Sequence, residues 1–202
     1  MKIWAIIPVK TLSKTKTRLA SVLLPNERAN LTLKLLKRLL FQIDKVASID
    51  RAIVVSRDER VCQLALAPNQ SALSEPEGED LNGSVSFAFK YAQQAGVTHC
   101  LILPSDLPLV EAADLDLFLS QIGKDTAGKT ALICSDAIQM GTNALLLPTN
   151  KPFQFRYGPN SYEQHLEEMQ QRGLNPISLF VPNIQFDLDN EADWQKYQLY
   201  TL

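Results

Sequence analysis

The sequence predicts an α/β fold, a three-layer sandwich in which helices cover both faces of a mostly parallel, mixed β-sheet. Residues 3–9 (IWAIIPV) form a continuous apolar run, which is typical of a strand buried on both faces. Segments with apolar residues at helical spacing separate this run from further candidate strands. The chain has 202 residues, of which 46% are hydrophobic and 21% charged, and it contains no evident linker or repeat. We therefore expect one domain over residues 1–202.

The predicted helices and strands alternate along the chain. The first helix begins at Pro25, a residue suited to the first helical turn, and carries an apolar stripe that includes Leu31 and Leu35. Asn82 or Ser84 would cap the helix that ends near residue 95. Strands are expected at residues 3–9, 51–56, 71–73, 99–104, 130–134, 142–147 and 177–181. Further helices are expected after residue 58, at residues 111–122 and 161–173, and at the C-terminus.

Charge and hydropathy exclude two classes of partner. The chain has 20 Lys and Arg residues against 22 Asp and Glu, a formal net charge of -2, whereas a dedicated nucleic-acid-binding domain is normally clearly basic. The apolar run at residues 3–9 is too short for a signal-peptide core with its cleavage site. No later stretch reaches the ~20 apolar residues of a membrane-spanning helix. We expect neither nucleic acid nor a membrane as a partner.

The cysteines indicate a reducing compartment. The chain has 3 cysteines at wide spacing and only 2 histidines, which disfavours both a disulfide framework and a structural zinc site. The expected state is three reduced, buried thiols in a cytoplasmic protein.

Cations are concentrated in the loop after the first strand. Lys10, Lys14, Lys16 and Arg18 lie in this loop, and no acidic residue precedes Glu27. Lysines supply point charges and arginine a fork for paired oxygens, so the loop suits a polyphosphate. It is neither a Walker loop nor a Rossmann fingerprint, because it contains no glycine. A flexible basic surface loop explains its composition equally well.

Carboxylates that can bind a metal ion occur at two places in the sequence. Asp106 directly follows the strand at residues 99–104, and ligands of open α/β sheets bind at the carboxyl ends of strands. A carboxylate there can hold Mg²⁺, although it can also cap the next helix. Asp187 and Asp189 would share one face of an extended segment, so either one can supply the second ligand. On these residues alone, an acidic turn before the last helix is favoured over a metal site.

A third group of residues is suited to binding an anion. Gly141 and Thr142 open one strand, and Gly158 and Ser161 precede a helix whose first backbone N–H groups can bind negative charge. His165 lies four residues further on, and we expect an ordinary histidine on the helix surface.

Taken in order, these motifs resemble the 2-phospho-L-lactate guanylyltransferase family over nearly the whole chain. Members of that family make the guanylylated precursor of coenzyme F-420 from phospholactate, phosphoenolpyruvate or 3-phosphoglycerate. The resemblance implies a nucleotide-diphospho-sugar transferase fold, similar to that of the molybdenum-cofactor guanylyltransferases. The matching segments are Ile-Pro-Val-Lys10, Lys16-x-Arg18-Leu, Asp80-Leu-Asn82, Leu103-Pro-Ser-Asp106-Leu-Pro108, Gly141-Thr-Asn-Ala-Leu145, Gly158-x-x-Ser161 and Asp187-x-Asp189.

The resemblance also implies roles for individual residues. The cations that match the family's phosphate loop are Lys10, Lys16 and Arg18. The carboxylates that match its metal ligands are Asp106 and, in preference to Asp187, Asp189. The residues that match its acceptor site are Thr142, Gly158 and Ser161, and Asn82 lies where the nucleoside is held. Asn160 departs from the family, which usually has glycine at this position of the acceptor site.

The implied reaction transfers GMP from GTP to the phosphate of a small phosphorylated acid, with Mg²⁺ bound and pyrophosphate released. The acid is 2-phospho-L-lactate, phosphoenolpyruvate or 3-phospho-D-glycerate. Two other functions remain open at this stage: a nucleotidyltransferase of the same fold that acts on molybdopterin or a sugar phosphate, and a non-catalytic nucleotide-binding module. A homodimer is possible, because the leucine-rich first helix and the aromatic residues Phe153, Phe155 and Tyr157 suit an interface as well as a core.

Overall fold

A single seven-stranded sheet organises the chain. The computed structural model describes residues 1–123 and 128–200, so residues 124–127 and 201–202 of the predicted domain lie outside the described residues. The strand order is β3-β2-β1-β4-β6-β5-β7. Strand β6 is antiparallel to both of its neighbours and the other pairs are parallel, which confirms a mostly parallel, mixed sheet. The strands are β1 (Ile3–Pro8), β2 (Arg51–Val55), β3 (Gln70–Leu73), β4 (His99–Ile102), β5 (Thr130–Ser135), β6 (Thr142–Pro148) and β7 (Asn175–Leu179).

Helices follow most of the strands, as the alternating pattern predicts. Two 3-10 turns, Leu12–Lys14 and Thr17–Leu19, and the short helix α6 were not predicted, because segments of three or four residues carry no measurable periodicity. The helices are α1 (Pro25–Ile43), α2 (Glu59–Cys62), α3 (Leu81–Gln94), α4 (Ala112–Ser120), α5 (Ser161–Gln171), α6 (Pro182–Gln185) and α7 (Glu191–Tyr200).

The alternation of side chains along β1 separates the two cores. Ile3, Ala5 and Ile7 face a layer formed mainly by α1 and α4, whereas Trp4 and Ile6 face α3 and α5. Because both faces of the sheet are covered, the central strands are apolar on both sides. This arrangement is the predicted three-layer sandwich.

The leucine-rich helix and the late aromatic residues are core elements. Leu36 and Leu39 of α1 pack against the sheet, and Leu35 packs against α7 in a third apolar cluster. Phe155 is buried against Phe89 of α3, with the ring centroids 5.5 Å apart. These side chains therefore stabilise the fold through burial of apolar surface.

The position of β7 and the cap of α3 differ from the prediction. Strand β7 lies at residues 175–179 instead of 177–181, because it pairs with β5 from Asn175 onward and, as an edge strand, tolerates Pro176. Asp80, and neither Asn82 nor Ser84, caps α3: its Oδ1 accepts a hydrogen bond of 2.8 Å from the Gly83 N–H.

The cysteines are free thiols with different exposures. Cys100 and Cys134 are buried, and burial raises the pKa of the Cys100 thiol to about 12, so it stays protonated. Cys62 is only partly buried.

Among the described residues, no helix is long and apolar enough to cross a membrane.

Candidate active site

A cavity of about 710 Å³ lies at one edge of the sheet, where β1 and β4 end. Because β6 runs antiparallel to β4, its first residues, Thr142 and Asn143, reach the same edge. Clefts of this volume beside the carboxyl ends of parallel strands are typical small-molecule sites in α/β proteins. Of the predicted site residues, all except Asn82 line this cavity: Lys10, Lys16, Arg18, Asp106, Thr142, Gly158, Ser161, Asp187 and Asp189.

The cation-rich loop is anchored at its two 3-10 turns. Leu12 and Leu19 are buried, and the Leu12 N–H donates a hydrogen bond of 2.9 Å to Asp58 Oδ2. Lys14, which was not among the predicted site residues, also lines the cavity. This anchoring favours the phosphate-binding interpretation of the loop over a flexible surface loop.

Lys16 lies between two carboxylates. Its Nζ is 2.6 Å from Asp106 Oδ2 and 3.2 Å from Asp189 Oδ1, and its side chain is only 6% exposed. Burial lowers the Lys16 pKa, but the two carboxylates more than offset this effect, and the net shift is upward. Lys16 is therefore firmly protonated. The backbone at Lys16 is left-handed, with φ of 50°, a conformation that residues other than glycine adopt rarely.

Asp187 and Asp189 lie between α6 and α7, outside the strands of the sheet. The intervening Leu188 is buried, and its N–H donates a hydrogen bond of 3.0 Å to the Asp106 carbonyl oxygen. Alternation along the segment therefore brings both flanking carboxylates to the cavity. Burial, together with the nearby Asp106 and Asp189 carboxylates, raises the pKa of Asp187 to about 6.

The carboxylates fit a magnesium ion whose remaining coordination positions are filled by substrate oxygens and water. Within residues 1–123 and 128–200, no group of three or more His, Cys, Asp or Glu side chains is arranged to hold a metal by itself. Mg²⁺ commonly takes one or two protein carboxylates and fills its other positions with phosphate oxygens and water. The pKa of Asp187 is raised first by burial and then by the Asp106 and Asp189 carboxylates, and a cation bound beside it would stabilise its charged form.

The opposite wall of the cavity is built on a glycine and an asparagine with positive φ. Gly158 has φ of 134°, a region essentially restricted to glycine, and Asn160 has φ of 57° as the residue before α5. The Ser161 N–H donates to the Gly158 carbonyl oxygen, so that N–H is not available to a ligand. The Ser161 hydroxyl donates to Thr142 Oγ1 over 3.3 Å.

The side-chain amide of Asn82 binds the main chain of this wall at Tyr157. Its Oδ1 accepts a hydrogen bond of 2.6 Å from the Tyr157 N–H, and its Nδ2 donates one of 3.1 Å to the Tyr157 carbonyl oxygen. The amide thus ties the start of α3 to the residue before Gly158.

Asn143 was missed in the sequence analysis. Ser135 pairs with Thr142 and Cys134 with Ala144, which leaves Asn143 unpaired in a β-bulge. Its buried amide donates hydrogen bonds to the Ile184 carbonyl oxygen and to Asp187 Oδ1. A polar residue inside an otherwise apolar strand was the signal that could have identified it.

The expectation for His165 was wrong. Its side chain is fully buried, and its ring contacts Tyr157, with centroids 4.8 Å apart. Nδ1 is 3.0 Å from Thr142 Oγ1, and Nε2 accepts a hydrogen bond from the Arg156 N–H. Burial lowers the pKa of His165 to about 4, so the ring is neutral at pH 7.

The fold is one that solved nucleotidyltransferases share. The structure is similar to that of a nucleotide-diphospho-sugar transferase from Desulfovibrio desulfuricans G20, with a TM-score of 0.77 and 18% identity over 98% of this chain and 87% of that one. It is also similar to a nucleotidyl transferase from Methanothermobacter thermautotrophicus, with a TM-score of 0.74 and 16% identity over 98% of this chain and 97% of that one. At these identities the likeness concerns the fold.

Sequence similarity identifies the family. The family model described as "Guanylyl transferase CofC like" matches residues 2–199. A phosphoenolpyruvate guanylyltransferase from Rubrobacter xylanophilus is 37% identical over 96% of this chain and 92% of its own length. A 2-phospho-L-lactate guanylyltransferase from Methanothermobacter thermautotrophicus is 33% identical over 87% of this chain and 74% of its own length. The chain belongs to the CofC-like guanylyl transferase family.

Proposed function

We propose that the protein transfers GMP from GTP to the phosphate of a small phosphorylated acid and releases pyrophosphate. The acid is phosphoenolpyruvate, 2-phospho-L-lactate or 3-phospho-D-glycerate, and the product serves coenzyme F-420 biosynthesis. This proposal rests on the composition of one cavity. Its lining includes the carboxylates of Asp106 and Asp189 and the hydroxyls of Thr142 and Ser161. It also includes the four cations of the loop after β1, which are Lys10, Lys14, Lys16 and Arg18. The names of the two relatives support the choice of base and of acid.

The proposed reaction needs no general base. The nucleophile is an oxygen of the acceptor phosphate, which is largely ionised at pH 7 because the second pKa of a phosphate monoester is about 6. It attacks the α-phosphorus of GTP, the bond to the bridging oxygen breaks, and that oxygen leaves with pyrophosphate. The barrier arises from repulsion between the two anions and from charge on the leaving group, so positioning and electrostatic stabilisation dominate catalysis.

Each group in the cavity has a proposed role in this transfer. Lys10, Lys16 and Arg18 bind the GTP phosphates, with Lys10 nearest the α-phosphate. Asp106 and Asp189 hold Mg²⁺, and Asp187 is the alternative second ligand. When bound, the metal neutralises charge on the phosphates.

The acid end of the acceptor binds at the wall formed by Thr142, Gly158 and Ser161. The Gly158 N–H donates to no other described residue, which leaves it available to a carboxylate oxygen. Asn82 belongs to this proposal as a residue beside the nucleoside, and its hydrogen bonds to Tyr157 link that region to the acceptor wall.

The test is a substrate panel. Purified protein is incubated with GTP or ATP, with each of the three acids, and with or without Mg²⁺, and released pyrophosphate is measured. We expect release only with GTP, an acid and Mg²⁺ together. Tight GTP binding without turnover on any acid would refute the proposal and favour a nucleotide-binding module.

Replacement of Asp106 tests the metal assignment. Asp106→Asn keeps the size of the side chain but removes its charge, so turnover should fall about 100- to 1,000-fold. Asp116→Asn, at an exposed position on α4, is the matched control and should retain full activity. Pyrophosphate release and circular dichroism are measured on both variants. Near-normal release by a folded Asp106→Asn protein would contradict the assignment.

A further inference from the structure

His165 has two defined hydrogen-bond partners although it does not line the cavity. The Arg156 N–H approaches Nε2 at 3.0 Å, and a backbone N–H can only donate. Nε2 must therefore carry the lone pair, and the single proton of the neutral ring is on Nδ1. Nδ1 in turn lies 3.0 Å from Thr142 Oγ1, so the ring donates its proton to that hydroxyl oxygen.

The Thr142 hydroxyl is consequently restricted to one role. Its oxygen has two lone pairs and one proton. One lone pair accepts the His165 Nδ1–H and the other accepts the Ser161 hydroxyl proton over 3.3 Å. Only the hydroxyl proton of Thr142 is left for a ligand, and Thr142 lines the cavity.

We infer that His165 is a positioning residue that fixes the Thr142 hydroxyl as a hydrogen-bond donor toward the negatively charged acid end of the acceptor. The inference rests on the proposed function, because it requires an anionic acceptor at Thr142. A hydroxyl that was free to rotate would donate its proton to Ser161 or to water for part of the time. A preoriented donor avoids this reorganisation when the acid binds.

The surroundings of His165 keep the ring in this state. Its side chain has no exposed surface, and Phe153 and Tyr157 contact it at centroid distances of 5.9 and 4.8 Å. Glu168, a carboxylate on the same helix, pairs with Arg172 at 2.6 Å. The ring is thus held between aromatic side chains, with both nitrogens occupied.

A double-mutant cycle tests the coupling between the two residues. Thr142→Val removes the hydroxyl, and His165→Phe removes both ring nitrogens while filling the space. Loss of a hydrogen bond to a charged group should raise the KM for the acid about 10- to 100-fold in Thr142→Val. His165→Phe should show much of the same loss, and the double variant should be no worse than Thr142→Val alone. The KM for GTP should stay within about threefold in all three variants, because the GTP phosphates are not bound here.

Conservative variants separate positioning from a merely structural role. His165→Asn places an N–H near the original Nδ1 and should recover part of the affinity for the acid. His99→Asn, which changes the chain's other histidine at the opposite end of β4, should leave both KM values unchanged. Multiplicative losses in the double variant, or equal losses in His165→Asn and His165→Phe, would overturn the inference.

Nitrogen NMR of the unmodified protein provides a test that does not depend on folding of the variants. With ¹⁵N-labelled histidine, the His165 proton should be found on Nδ1 at pH 7, and a proton on Nε2 would overturn the inference. If the unmodified protein released no pyrophosphate with any of the three acids, both the proposed function and the role of Thr142 toward the acid would be refuted. Multiplicative losses in KM in an otherwise active enzyme would overturn the role of His165 and leave the proposed function standing.

Discussion

Lys10 and Lys16 come from the same loop but have different surroundings. Lys16 is buried and ion-paired with Asp106 and Asp189, whereas Lys10 is exposed at the cavity and has no ion pair among the described residues. The positive charge of a lysine without a carboxylate partner is not offset by a neighbouring negative charge, so it attracts an anionic ligand more strongly. Lys10, like the exposed Lys14, can therefore engage a phosphate without breaking an ion pair among the described residues.

Lys10→Ala should lower kcat about 100-fold, with a smaller change in the KM for GTP, because negative charge develops on the oxygens of the reacting phosphates in the transition state. Steady-state kinetics with saturating acceptor measures both constants. Lys37→Ala, on the exposed face of α1, is the control and should change neither. A rise in the KM for GTP at constant kcat would show that Lys10 contributes only uniform binding.

Asp187 lowers the stability of the metal-free protein at neutral pH. A carboxyl whose pKa is higher in the folded than in the unfolded state costs stability once it ionises, and this cost is fully present above pH 6. Asp187→Asn keeps the oxygen that accepts from Asn143 but removes the repulsion from Asp106 and Asp189. We expect a higher melting temperature than that of the unmodified protein at pH 7.5 in EDTA. A lower melting temperature would contradict this account.

At the scale of elements, two of the four carboxylates in the acidic run at residues 75–80 have local partners. Asp80 caps α3, and Glu75 accepts a hydrogen bond from the Ser84 hydroxyl and pairs with Arg57 at 3.6 Å. These two carboxylates organise the start of α3.

The connection from Gly158 to α5 depends on the backbone of Asn160. Among residues with side chains, asparagine tolerates the left-handed conformation best, and glycine adopts it freely. Asn160→Gly should therefore keep both the melting temperature and the KM for the acid. Asn160→Val should lower the free energy of unfolding by about 1–2 kcal/mol and raise that KM. Thermal unfolding and acceptor titration measure these effects, and equal behaviour of the two variants would show that the conformation of this residue is unimportant.

At the scale of the whole molecule, the sheet brings the two ends of the chain together. Lys16 and Asp189 are 173 residues apart in sequence, yet their side chains are 3.2 Å apart. The acid-free first 26 residues and the late acidic segment thus meet in one cavity, and their charges largely cancel in the net charge of -2.

We expect His165 to make the free energy of unfolding depend on pH. Burial lowers its pKa from the ordinary value near 6.5 to about 4, so between these values the unfolded chain binds more protons than the folded one. The free energy of unfolding should fall by about 3 kcal/mol as the pH falls across this interval. Glu168 opposes this shift and Arg156 adds to it.

Urea unfolding at several pH values between 7 and 4 measures this loss. The His165→Asn variant, which cannot titrate there, serves as the comparison and should lack this part of the pH dependence. Parallel curves for the two proteins would show that His165 is not the group responsible.

Periodicity and strand-end chemistry were sufficient to predict much of the fold and of the site. The alternation of apolar strands with amphipathic helices predicted the three layers, and the positions of Lys10, Asp106 and Thr142 beside strand ends placed them near the cavity. The contacts of His165 and Asn143 could not be predicted in this way. A histidine on a helix has the same local sequence whether its face is buried or exposed, and a β-bulge depends on the partner strand.

The sequence by itself determined the layered α/β architecture, the family and the residues that carry charge to the site. These follow from local patterns, because secondary structure and strand-end position depend mainly on neighbouring residues. Only the tertiary structure decided which charges pair, that Asn82 binds the main chain of Tyr157, and that His165 contacts Thr142. Hydrogen bonds and ion pairs depend on distances of a few ångströms between residues far apart in the chain, and those distances are set by packing of the whole molecule.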